Sequence, residues 1–90
     1  MATGIVPLSV RLAEFHESQR DWHLQMARKH GAYGHERAEQ YHVEAAAAHE
    51  AAKAVPLNDR IAGAAIRASA IADEGSQKVG VRPLLPWPKR

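Results

Sequence analysis

The 90-residue sequence has no cysteine. That excludes a disulfide staple, a cysteine-ligated zinc site and thiol catalysis. Large apolar side chains are also scarce. The chain has one Phe, two Trp and two Met, and 18 of its 41 apolar residues are alanine. Alanine buries little area per residue, so such a core is thin. A short chain with a thin core usually needs a staple or a partner. With disulfides excluded, the options are self-association, docking on a larger body, or a metal held by histidine and carboxylate. No apolar run reaches the length of a membrane span. The N-terminal stretch MATGIVPLSV lacks the basic-then-apolar pattern of a secretory signal. These features predict a cytoplasmic protein, or one held within a virion or similar assembly, and no membrane partner.

The net excess of basic charge is confined to one end. The net charge is +2, and residues 82–90 carry Arg82, Lys89 and Arg90 with no acid, so the remainder stands at −1. A nucleic-acid binder shows a basic face or stripe. Here only the tail is basic, which argues against nucleic acid except through that tail.

What the chain does have is helical rhythm. The spacing predicts an all-α fold: an antiparallel helical hairpin plus a third helix, with an extended, proline-rich C-terminal arm. The first helix reads from about 8 to 30, with a three-four seam of Leu8, Leu12, Phe15, Gln19, Trp22 and Met26. Arg28, Lys29 and His30 suit its C-terminal turn, and Gly31 is the expected left-handed cap. The four-residue link Gly31–Gly34 predicts a tight reversal. The second helix reads from about 35 to 54, with a seam of Ala38, Tyr41, Ala45, Ala48, Ala52 and Val55, and Pro56 ends it. Bulk on the first helix would meet space on the second. The third reads from about 58 to 74, capped by Asn58, seamed by Leu57, Ile61, Ala64, Ala68 and Ile71, and stopped by Gly75. Asp73 and Glu74 have the wrong sign for that end of a helix.

Residues 1–75 therefore form the helical domain and 76–90 the arm. Three prolines within six residues make the arm extended. Arg82, Pro83, Leu84, Leu85, Pro86 and Trp87 are the candidate interface. Trp87 is the anchor, because buried aromatics dominate interfaces.

The six histidines form two trios with a spacing of seven: His16, His23, His30 and His35, His42, His49. In the seam frame all six fall beside the core. A reversal centred in the 31–34 link sets 16 roughly opposite 49, 23 opposite 42 and 30 opposite 35, in a register open to a slip of one or two residues. Three readings follow. The rings cover a core edge or a neighbouring subunit as half-exposed residues. Or they bind a transition metal such as Zn, Cu or Fe, with His16, His23, His42, His49 and Glu39 as ligands. Glu39 stands three residues before His42, the Glu-x-x-His spacing of di-iron bundles, and a dimer would supply the second motif. Or facing imidazoles repel on protonation and loosen the hairpin. No phosphate loop, nucleophile elbow or zinc-protease helix is present. The expected function is a non-enzymatic assembly subunit without a cofactor, such as a small phage-particle component. It would act through helix packing and the arm toward protein partners or copies of itself. The alternative is a histidine-rich metal-binding oligomer.

Overall fold

A computed structural model describes residues 5–79 of the chain. Among the described residues there are three helices and no strand: α1 (Leu8–Ala32), α2 (Glu36–Ala54) and α3 (Asp59–Lys78). Helix α2 is central and packs on both α1 and α3. The candidate interface, Arg82, Pro83, Leu84, Leu85, Pro86 and Trp87, lies outside the described residues.

The turns follow local chemistry. The Pro7 carbonyl accepts from the Val10 and Arg11 amides at 3.0 and 3.1 Å and opens α1. Lys29 and His30 place positive charge in its last turn. The left-handed residue of the reversal is Gly34, at φ 77°, and not Gly31 as expected. Gly31 is still helical, and its role is steric. A Cβ there would lie 2.9 Å from Oε2 of Glu39, so the missing side chain admits that carboxylate. The His35 amide then donates to the His30 carbonyl at 2.9 Å and closes the turn. At α3 the Asn58 side chain accepts from the Ile61 amide at 3.0 Å, the expected cap.

Gly75 does not stop α3. The helix continues through it to Lys78, so the expected break at residue 75 and the extended reading of 76–78 are both corrected. Gly75 serves packing: a Cβ there would approach Cδ2 of Tyr41 to 2.8 Å. With Lys78 in the last turn, the charge at the helix end suits the dipole and Asp73 falls in the helix interior.

The core keeps part of the expected seams and elsewhere lies one residue along from them. Phe15 is 45% exposed, and Leu8 and Leu57 more so. The expected seam members Met26, Ala38, Ala45 and Ala52 are buried, and beside them the interior holds Ala27, Ala46, Ala65 and Ala72, five histidines and Ser76. Alanine from three helices leaves space that imidazole rings fill. On α3 the inward face is small, and Ile66 and Ile71 point outward, 57% and 51% exposed.

Candidate functional site

The seven-residue spacing keeps each histidine trio on one face of its helix, and the tight reversal brings the two faces together. The pairing anticipated from the index symmetry is what the structure holds. Nδ1 of His16 lies 2.8 Å from Nδ1 of His49, Nδ1 of His23 lies 2.7 Å from Nδ1 of His42, and Nδ1 of His30 lies 3.4 Å from Nδ1 of His35. Burial departs from expectation. His16, His23, His30, His42 and His49 are each 2% exposed or less, so they are the core and not its half-exposed edge. Only His35 is half-buried.

Helix α3 supplies the second half of the arrangement. Oγ of Ser69 sits 2.9 Å from Nε2 of His23 and 2.8 Å from Nε2 of His49. Oγ of Ser76 sits 2.7 Å from Nε2 of both His30 and His42. Each hydroxyl joins one rung of the ladder to the next. Rings of adjacent rungs also stack, His23 on His49 at 5.9 Å and His30 on His42 at 5.3 Å between centroids. Phe15 meets His16 edge-on at 5.2 Å, and Trp22 meets His23 edge-on at 4.9 Å, closing the outer side. A buried polar group is costly unless hydrogen-bonded, and this network supplies the bonds.

Burial sets the electrostatics. It pushes the His23, His42 and His49 imidazoles down to about 4, with neighbouring rings adding repulsion against a proton. His16 and His30 are also lowered, chiefly by burial. Desolvation of the charged form is the common cause.

Between the two serines, one helical turn from each, stands Asp73. Its Oδ1 is buried and has no hydrogen-bond partner. Burial raises its carboxyl above the usual range. One ligand atom each from His23, His42 and Asp73 lie within 4.8 Å of one another. No family model, curated protein or solved structure matches this chain. The reading of the site therefore rests on its own geometry.

That geometry sorts the expected ligands. His23 and His42 come together as one rung, and His16 and His49 form the next. Glu39 does not join them: its carboxylate lies over Gly31 at the reversal. The carboxylate beside the rung is Asp73. Ser69, Asp73 and Ser76 were missed, although their spacing of four and three puts them on the same face as Ala65 and Ala72. A polar stripe at core rhythm was the available signal.

Proposed function

We propose that this chain is a helical protein that binds a divalent first-row transition ion between His23, His42 and Asp73, as the metal-binding alternative anticipated with a different carboxylate. The observation that carries the reading is the buried, unpartnered Oδ1 of Asp73 beside a histidine pair. Such an atom is expensive to leave unsatisfied, and a cation satisfies it. Two imidazoles and one carboxylate suit Zn²⁺ or Fe²⁺ and leave coordination positions open. Two Nδ1 atoms on one tetrahedral ion stand about 3.3 Å apart, given metal–nitrogen bonds of about 2.0–2.1 Å. The rung at 2.7 Å must open by roughly 0.6 Å to receive it. Ser69 and Ser76 already hold the outer nitrogens of both rings, the orienting role that surrounding hydrogen bonds play at metal sites.

The test is calorimetric titration of chelator-treated protein with Zn²⁺ and Fe²⁺, the latter without oxygen. One ion per chain, lost in both Asp73→Asn and His42→Gln, supports the site. Undiminished binding in Asp73→Asn places the ion elsewhere.

A second reading is favoured by a separate observation: Leu8, Phe15, Leu57, Ile66 and Ile71 stand exposed on the outer faces of α1, α3 and the link before α3. Scattered exposed apolar residues are ordinary, but this many on a small chain support an assembly subunit that buries them against protein. A phage-particle component is one instance. Native mass spectrometry reports oligomer and bound metal in one spectrum. A strictly monomeric, metal-free species that stays folded argues against both readings. No described helix is long and apolar enough to cross a membrane.

A further inference from the structure

The rungs and hydroxyls join end to end. From His16 the contacts run through His49, Ser69, His23, His42, Ser76 and His30 to His35. Eight residues make seven links, and the last, His30 to His35, is the longest at 3.4 Å. A neutral imidazole has one N–H and one bare nitrogen, and a hydroxyl donates once while it accepts. At each histidine rung one Nδ1 must donate and the other accept. If every member donates in the same sense, each link is satisfied with no spare proton and none missing. Only two such states exist. In one, His16, His23 and His30 carry the proton on Nδ1 while His35, His42 and His49 carry it on Nε2. In the other, all six are exchanged.

We propose that this chain of six imidazoles and two hydroxyls, buried except at half-buried Ser69 and His35, is a proton relay that passes one proton between its His16 and His35 ends by inverting all of its tautomers together. A proton arriving at Nε2 of His16 releases the Nδ1 proton to His49. His49 passes its Nε2 proton to Ser69, and Ser69 passes its own to His23. His23 protonates His42 through the Nδ1 pair, and His42 donates to Ser76. Ser76 donates to His30, His30 to Nδ1 of His35, and His35 releases its Nε2 proton. One proton enters and one leaves. Each imidazole ends with one N–H and each serine with one O–H, in the opposite polarity. The chain then carries a proton only the other way until it resets. Burial of five rings keeps water from short-circuiting the interior links. The relay belongs to the metal-free chain: failure to bind an ion leaves it standing, whereas an ion held between His23 and His42 would interrupt it at that rung.

The experiment is nitrogen-15 NMR on the full, chelator-treated chain above neutral pH. Protonated and bare imidazole nitrogens resonate far apart, so each tautomer is read directly. The expected result is one tautomer across His16, His23 and His30 and the opposite one across the other trio, with exchange spectroscopy showing all six inverting at a common rate. Ser76→Ala cuts the chain, so the His30–His35 rung should lose that common rate. Ser76→Thr keeps a hydroxyl and should restore it. Mixed tautomers within a trio, a polarity that never inverts, or rungs inverting independently in the native chain would each overturn the proposal. Circular dichroism checks that Ser76→Ala remains helical. Where it does not, Ser69→Ala makes the equivalent cut, and the native pattern decides on its own.

Discussion

The two helix interfaces of this protein solve opposite problems. Between α1 and α2 the contact is built from large rings that are polar at both ends. Against α3 it is built from small groups: Ala65, Ser69, Ala72, Gly75 and Ser76. The small face brings two hydroxyls within hydrogen-bond distance of four ring nitrogens. The difference shows how an alanine-rich chain can be filled. Bulk comes from imidazole, whose polar atoms are then satisfied by neighbours and not by water. The cost of that choice is sensitivity to protons.

Acid should break the first interface and give the largest effect. His23, His42 and His49 sit near 4 in the folded chain against 6.5 unfolded. Their neutral rings contribute full stability above pH 6.5. As pH falls below 6.5 the unfolded chain takes up protons that the folded chain refuses, and the loss grows until about pH 4. Three such groups remove roughly 6 kcal/mol by pH 5, against the roughly 5–15 kcal/mol that a domain typically has. Helicity followed against pH should collapse within that window. A flat profile from pH 7 to 4 would show that the rings are not buried neutral. The sequence pattern already suggested acid loosening, with charge repulsion as the cause. Burial outweighs that repulsion in the folded chain.

Truncating one ring comes next. His42→Ala removes a buried ring and leaves both Nδ1 of His23 and Oγ of Ser76 short of a partner. Removal of a buried ring costs about 3–5 kcal/mol. Urea unfolding at neutral pH should show a loss of that size. His35→Ala, at the half-buried end with its 3.4 Å contact, should lose far less. Equal losses at the two positions would sink the picture of a ladder anchored in its interior.

How much of this was legible follows from the two interfaces. The rungs could be read to within a slip of one or two residues, because seven-residue spacing and a tight reversal set the two trios opposite each other whatever surrounds them. Their burial could not, because seam reading assigns the interior to Leu12, Phe15 and Trp22 on hydrophobicity alone. Phe15 and Trp22 instead flank the rings. The α3 interface was shifted by the same habit, since Ile61 and Ile71 drew the seam away from Ala65, Ala72 and Ser76. Asp73 was misjudged for a linked reason. Gly75 reads as a helix stop, which turns Asp73 into a dipole mismatch. Its steric role against Tyr41 depends on a contact between two helices that no local rule contains.

The second interface can be sharpened by two glycines of one helix. At Gly75 a Cβ would press on the Tyr41 ring at 2.8 Å, inside the close contact of α2 and α3. Gly75→Ala should therefore cost about 1–3 kcal/mol, as overpacking does. At Gly63 the nearest atom to a Cβ is the mobile end of Arg67, Nη1 at 3.4 Å. Gly63→Ala should gain roughly 0.5–1 kcal/mol from helix propensity. Opposite signs for one substitution, measured as urea midpoints on the same scaffold, separate close packing from backbone preference. A gain at both positions would mean that α3 does not press on Tyr41.

The smallest effect is expected outside both interfaces. Arg20 bridges α1 to Glu50 of α2 at 2.7 Å and also holds Asp21 at 2.8 Å. The pair looks like a clasp across the hairpin. Exposed ion pairs gain little, because water competes for both charges and two long side chains must be held still. Glu50→Gln should leave the urea midpoint unchanged within error, at low salt and at high salt. The histidine rungs should hold the register without the clasp. A clear, salt-sensitive loss would instead mean that surface charge, and not the ring ladder, fixes how α1 and α2 align. The seven-residue repeat would then be a consequence of the hairpin's register and not its cause.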